Sequence, residues 1–430
     1  MSLMSSMYTG VSGLESNSAD LTTIGDNIAN ANTIGFKAGR ASFEDALAQN
    51  IIGGAGSSQQ GWGARVQAIQ KLVTQGALTN TGLATDLAIQ GGGFFVVKGN
   101  HNGSDGTFYT RAGQFTVDKN GALVNLEGLT VQGYQADATG AITGQMGDLK
   151  VGDATSPPSA TAGITVRANL DPNSPVLTAP FDPLNAATTS NFSNSTTVYD
   201  SLGNAHQVSI YYRKTATGWD WHALTDGGGL TGGTAGTPTE IAGGTMTFDT
   251  SGKLTASTQT GTFNPINARN PQTLTFNLGD PTGGGGTGVA GITQYGNQPS
   301  ATTFLSQDGY SSGQLARISI DAKGVVTGTF TNGQSRALGQ VALADFSAPD
   351  QLERLGGNLY GQVPGSGDAV VGKPAAGGLG SIASGALEQS NVDLATEFVR
   401  MIAAQRGYQA NSKTITTADQ LLNELIALKR

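Results

Sequence analysis

Apolar residues return every seven positions at each end of this 430-residue chain, and that pattern limits the fold more than any other feature. Near the N-terminus Met7, Leu14, Leu21 and Ile28 share one heptad position, and Met4, Val11 and Ile24 fill neighbouring positions of the same stripe. Thr, Ser, Asn and Asp take the other face, and Asn30, Asn32 and Gly35 supply stop chemistry. Near the C-terminus Leu394, Met401, Tyr408, Ile415 and Leu422 share a heptad position, with Ala404, Ala418 and Leu425 three residues later in their turns. Ser390 and Asp393 read as a capping box, while Lys429 and Arg430 suit the negative end of a helix dipole.

Two such stripes at opposite ends of one chain have a joint solution: the ends meet, and each helix covers the other's apolar face. A pair still leaves apolar surface open. Either neighbouring copies of the chain or its own β-body would cover the remainder. The Asn- and Thr-rich outer faces favour neighbouring copies, because helix propensity is weak there and isolated helices fray.

Between the ends the sequence reads as β-structure. Phe94-Phe-Val-Val97, Val208-Ser-Ile-Tyr-Tyr212 and Ala316-Arg-Ile-Ser-Ile320 are bounded by Gly, Asn and Asp. Five of the Asp-x-x-Gly units in the chain lie at Asp118, Asp137, Asp200, Asp249 and Asp321. In such a unit the Asp side chain bonds amides two residues on and the Gly takes positive φ, so these are expected hairpin turns. Composition agrees: 64 glycines and only 13% charged residues suit short strands with hydrated, weakly charged surfaces. Pro157 and Pro158 mark one boundary, and the Pro281 to Gly291 stretch reads as a flexible exit from an inserted β-domain.

Chemistry is sparse. With 31 acidic against 23 basic residues and no basic stripe, nucleic acid is a poor partner. Cysteine is absent, which removes disulfides and thiolate metal sites. No run of about 18 apolar residues predicts membrane insertion, and the N-terminus lacks the charged and apolar regions of a cleaved signal peptide. Gly286, Gly288 and Gly291 match G-x-G-x-x-G, but no strand precedes and no helix follows, so a dinucleotide loop is not expected. His101, His206 and His222 have no carboxylate cluster beside them in sequence and read as solvated or sheet-face residues. Trp219 and Trp221 alternate onto one sheet face, which reads as packing or partner contact before it reads as a sugar platform. No enzyme, cofactor or metal is expected.

Val11-Ser-Gly-Leu14, Ile24-Gly-Asp-Asn-Ile-Ala-Asn30 and Thr33-Ile-Gly-Phe-Lys37 resemble the N-terminal signature of the bacterial flagellar rod and hook axial family. Asp86-Leu-Ala-Ile-Gln-Gly-Gly-Gly-Phe-Phe95 resembles the opening of that family's first outer β-domain. Ser384-Gly-Ala-Leu-Glu-Gln-Ser-Asn-Val-Asp393 and Gln405-Arg-Gly-Tyr-Gln-Ala-Asn411 resemble its C-terminal signature. The signature residues carried over are Asn27, Asn30, Gly35, Phe36, Asn391, Gln405, Tyr408 and Asn411. Val198-Tyr-Asp-Ser-Leu-Gly-Asn-Ala-His206 and Gln334-Ser-Arg-Ala-Leu-Gly-Gln340 are similar to the family's hook branch.

The resemblance implies a mixed, multidomain fold: paired, coiled-coil-like terminal helices and two mainly-β outer domains, one inserted in the other. Its expected parts are 1–30 with 391–430 as the helical assembly domain and 31–75 with 360–390 as an irregular linking segment. Residues 76–151 with 299–359 would form the first β-domain, and 152–298 the inserted one. It implies a structural subunit of an extracellular hook, a curved flexible tube carrying torque from rod to filament. The implied partners are copies of itself, the rod, hook-cap and hook–filament junction proteins, and the flagellar export apparatus. A rod subunit would share the termini without the inserted domain. A secreted β-rich hydrolase would need a carboxylate pair in a cleft and no terminal heptads.

Ordering roughly 60 terminal residues costs about 1–2 kcal/mol each, and Gly407 inside the second helix adds up to about 1 kcal/mol relative to Ala. The terminal segments of the free subunit are therefore expected to be cut first in limited proteolysis, leaving a β-rich fragment. A monomer whose two ends resist protease as well as its middle does would contradict this.

Overall fold

The computed structural model describes residues 3–46, 49–53, 56–152 and 154–428. The chain forms two compact units. The first holds residues 1–154, 315–329 and 335–430, and the second holds 155–314 with 330–334.

In the first unit, helix α1 (Leu3–Ala29) and helix α2 (Leu394–Leu428) run antiparallel against each other. Asp393 caps α2: its carboxylate accepts from the amides of Ala395 (2.9 Å) and Thr396 (3.4 Å) and from the Thr396 hydroxyl (3.1 Å). The expected Ser390–Asp393 box is thus displaced, since Ser390 Oγ accepts from Val392 N and makes its own local turn. Lys429 and Arg430 lie outside the described residues.

The segment expected to be irregular, 31–75, is largely a hairpin. Gly39–Asp45 pairs antiparallel with Ala64–Lys71, and Gln49–Gly53 pairs with Gly56–Gln60. In the outer pair of strands the large apolar residues Phe43, Val66 and Ile69 stand exposed, so hydrophobic patterning gave no strand signal there.

The β-body of the first unit is built around the strand Phe94–His101. It pairs with Ser104–Thr110 on one edge and with Thr130–Ala136 and Leu343–Asp345 on the other. Both faces are buried, which explains a continuous apolar run in place of alternation. Phe95 and Val97 join Leu87, Phe115 and Val131 in one cluster, while Phe94 and Val96 join Tyr109, Phe346 and Tyr360 in another.

In the second unit, five antiparallel strands follow in chain order: Phe192–Tyr199, Ala205–Lys214, Trp219–Asp226, Pro238–Phe248 and Leu254–Ser257. A four-stranded sheet led by Gly163–Asn169 shares their core through Ile164, Val166 and Phe276. Trp219 and Trp221 are fully buried in it, with the Trp221 ring 4.9 Å from that of Phe276 and its indole N–H donating to Thr258 O at 3.1 Å. Burial removes the sugar-platform reading.

Those five Asp-x-x-Gly units are turns of one design. Each Gly N–H donates to its Asp carbonyl at 2.9–3.1 Å. Every Asp carboxylate accepts from the amides two and four residues on. Each Gly has φ between +73° and +89°.

The Gly-rich stretch is not an exit linker. Asp280 accepts from the amides of Thr287 and Ala290, Gly288 O accepts from Leu254 N, and Ile292 is buried in the core. The strand that follows, Ala301–Gln307, pairs with Gly163–Asn169, so the second unit extends past 298 to 314. Side-chain capping by one aspartate replaces the missing side chains of the glycines, a signal that composition conceals.

Asp200 is buried in the second unit. Burial alone would raise its pKa, but hydrogen bonds from Asn204, His206 and Leu202 outweigh this and hold the carboxyl below its ordinary value. Its contribution is complete above the unfolded value of about 3.9 and is lost as pH falls through the lower folded value. Denaturant unfolding followed by tryptophan fluorescence should show the second unit weakening below about pH 4. Asp200→Asn should flatten that dependence, and an unaltered pH profile in the variant would refute the assignment.

Candidate assembly surface and its anchor

The face on which α1 and α2 meet is small and polar. A Cβ placed on Gly13 would lie 2.4 Å from Asn411 Nδ2, and one on Gly407 would lie 2.6 Å from Asn17 Oδ1. Each helix thus sets a glycine under an asparagine of the other. Gly10 likewise lies under Ile415, where a Cβ would be 2.9 Å from the side chain. Gly407 therefore has a packing reason that propensity could not supply.

Of the large apolar residues on the expected stripes, Ile415 lies over Gly10 in the seam and most others flank it. Met7, Leu14, Leu21, Ile28, Met401, Ile415 and Leu422 are half-buried, whereas Val11, Leu394 and Tyr408 are exposed. Ile24 alone of the apolar stripe on α1 is buried, beside Ser16, Thr23 and Asn27. On α2 the buried residues are Glu397, Ala404 and Ala418. Ala404 and Ala418 belong to the expected stripe, at the positions three residues after its large apolar groups. Small side chains let the helices approach closely, and this leaves most of the larger apolar groups at the margins. The side chain of Leu425 lies outside the described residues.

At the base of the pair, the signature residues act on backbone. Asn27 accepts from Gly39 N and donates to Gly39 O, both at 2.8 Å, and also donates to Glu397 Oε2 at 3.2 Å. Asn30 Nδ2 donates at 2.9 Å to Asp26 O, which also accepts from Asn30 N at 3.1 Å, so both groups of Asn30 close the end of α1 on one carbonyl. Gly35 has φ +70° and packs against the Arg111–Ala112 peptide, so a Cβ there would meet backbone at 2.6 Å. Phe36 is buried beneath the Arg354 guanidinium, which lies 4.7 Å from the ring centroid. Asn391 accepts from Ala38 N (2.8 Å) and donates to Leu72 O (2.7 Å) and Thr74 Oγ1 (2.9 Å). Gln405 stays exposed on α2, while Asn411 belongs to the seam.

The strongest group in this region was not singled out by sequence reasoning. Glu388 is 0% exposed, and its carboxylate accepts from Lys37 Nζ (2.5 Å), Gly76 N (2.9 Å) and Arg111 Nη1 (3.2 Å). Lys37 and Arg111 are 1% and 2% exposed, and they donate further to Thr74 O and Gly91 O. Burial lowers the Lys37 pKa, while its bond to Glu388 acts in the opposite direction. The carboxylate thus joins four chain segments that sequence separates widely.

The three histidines lie on strands, the sheet-face alternative, and each has a carboxylate partner that the sequence did not place beside it. His101 meets Glu127 at 2.9 Å, His206 meets Asp200 at 3.3 Å, and His222 meets Glu240 at 2.8 Å while stacking on Phe181. Each pair stands alone, and no three potential ligands converge among the described residues. No helix among the described residues is long and apolar enough to cross a membrane.

Four family patterns match in chain order. "Flagella basal body rod protein" covers residues 7–37, and "Flagellar hook protein FlgE/F/G D1 domain" covers 88–170. "Flagellar basal body protein FlaE D2 domain" covers 165–310, and "Flagellar basal body rod FlgEFG protein C-terminal" covers 383–428. The chain is 37% identical to the flagellar hook protein FlgE of Borreliella burgdorferi, across 99% of this chain and 100% of that protein. It is 37% identical to that of Escherichia coli, across 97% and 98%, and 35% identical to that of Salmonella typhimurium, across 99% and 100%. The chain belongs to the flagellar hook protein family. In this hook-family chain the anchor joins the two terminal matched segments, since Lys37 lies in the first and Glu388 in the last.

Removing the acceptor would leave two buried cations facing each other. Glu388→Ala is expected to destabilise the first unit by about 3–5 kcal/mol, read from denaturant unfolding of the free subunit. A loss below about 1 kcal/mol, the level of an exposed ion pair, would mean that Lys37 and Arg111 find other partners.

Proposed function

We propose that this chain is the structural subunit of a flagellar hook, polymerising with copies of itself into a curved tube that carries torque from rod to filament. The observation that carries the reading is full-length identity to hook proteins, joined to a helix pair that leaves large apolar side chains in solvent. Leu394, Phe398, Val399, Ile402 and Tyr408 on α2, with Tyr8 and Val11 on α1, are exposed in the single chain. Such a surface is typical of an assembly face. The subunit acts outside the cell, as part of the flagellar hook. Its remaining partners are the rod, hook cap, junction proteins and export apparatus, and it performs no catalysis.

The second unit sets the shape of the tube in this reading. A joint that bends while rotating lengthens contacts on its outer side and shortens them on its inner side in every turn. Thr-, Ser- and Gly-rich surfaces make small contacts that exchange with water, whereas tightly packed apolar interfaces resist sliding. The inserted domain proposed here spans 155–314, and the terminal helices, paired in a coiled-coil-like manner, form the polymerising layer.

The test is expression in a bacterium lacking its own hook protein, with electron microscopy of the basal bodies. The full chain should yield curved tubes of uniform width, and a chain lacking 155–314 should yield tubes of altered curvature. Absence of tubes from the full chain would overturn the function, and unchanged curvature in the deletion would remove the second unit from shape control.

A further inference from the structure

We propose that a groove beside α1 is the seat for the outward ridge of α2 from a second copy, so that the polymer grows by a groove-to-ridge contact. This rests on the homopolymer reading and specifies which two surfaces meet.

The groove has a volume of about 970 Å³ and is lined by Thr22 and Thr23 of α1, Ile69 and Lys71 of the hairpin, and Leu352 and Arg354. Its cations are already engaged. Lys71 donates to the carbonyls of Asp350 (3.2 Å) and Leu352. Arg354 pairs with Asp26 at 2.9 Å and lies over Phe36. Asp26 and Glu353 also line the groove, so its two cations stand against two carboxylates. A cleft without net charge offers little to an anion or an acidic peptide and suits an uncharged apolar surface.

The same chain carries such a surface without a cover. Leu394, Phe398 and Ile402 stand one helical turn apart on α2, and Val399, 68% exposed, adjoins them. The charged residues of that stretch do not interrupt the ridge, because Arg400 pairs with Glu397 at 3.1 Å and Glu397 is turned inward to Asn27. The ridge is therefore as neutral as the groove.

Their placement fits repetition. Glu397 reaches Asn27, so the ridge stands at the level of the α1 residues beside the groove. Glu397 faces α1, and at about 100° per residue Leu394, Phe398 and Ile402 lie along the side of α2 with Val399 opposite Glu397, so the ridge is off the face that meets α1. Two different complementary patches, at one level and on separate flanks of the helix pair, make a heterologous contact. A contact of that kind repeats head to tail into rings or helical filaments.

Because the chain has no cysteine, introduced thiols report cleanly. Subunits carrying Ile69→Cys and subunits carrying Val399→Cys would be co-assembled in the hook-deficient cell, and the isolated tubes oxidised. Thr22→Cys would replace Ile69→Cys if that change impairs assembly. Mixed tubes should give a disulfide-linked dimer band at least tenfold stronger than tubes of either variant alone. Mixed tubes of normal appearance with no band above those controls would overturn this contact while leaving polymerisation intact. Failure of the unmodified chain to form tubes would instead overturn the homopolymer reading.

Discussion

A carboxylate without access to water is tolerable only where donors surround it, and Glu388 meets that condition with an ammonium, a guanidinium and a backbone amide. Those donors come from residues 37, 76 and 111, and the Glu388 carbonyl adds a bond from Gly35 N. No partial version of this arrangement is stable, because each missing partner leaves another buried charge exposed to low dielectric. The ends of the chain therefore dock on the β-body as one event. Asn27 and Asn391 extend the same logic with side-chain amides that read the backbone of Gly39 and Ala38.

The anchor explains why the helix seam can be so weakly apolar. The start of α2 and the end of α1 are already fixed at their base, so the seam needs to set register more than it needs to supply adhesion. Asparagine over glycine does that twice, at Asn411 over Gly13 and at Asn17 over Gly407. A shift of one residue would bring a Cβ into contact with a polar side chain that has lost its cavity. Large apolar groups are left at the edges and on the far face, where another chain can reach them.

Much of this was legible in the sequence, and the misses have physical causes. The five Asp-x-x-Gly turns depend only on residues within the turn, so local chemistry was sufficient. Both terminal helices followed from their apolar period, and Ala404 and Ala418 of their shared face lay in that stripe, but the asparagine-over-glycine contacts did not follow from it. Periodicity marks where large side chains lie and is silent about a contact built from Gly and Asn. The hairpin around 39–71 was hidden for a related reason, since its strands bury little. Glu388 stood within a recognised motif, yet its role arises from Lys37 and Arg111, whose proximity only the tertiary fold creates. Gly286 to Gly291 misled by composition, because Asp280 supplies from outside the run the order that glycine lacks.

The two units solve the problem of a low-charge chain in different ways. The first gathers three of its buried charges, Lys37, Arg111 and Glu388, at one junction between helices and sheet. The second relies on an apolar core around Trp219 and Trp221, with turn carboxylates whose partners are mostly their own neighbouring amides. Each unit can therefore keep its internal structure while its surface contacts change, because neither stability depends on charges at that surface. For a subunit whose contacts must be remade as a polymer bends, that separation is the central requirement. Cohesion lies in cores and anchors, and the outside is left hydrated and exchangeable.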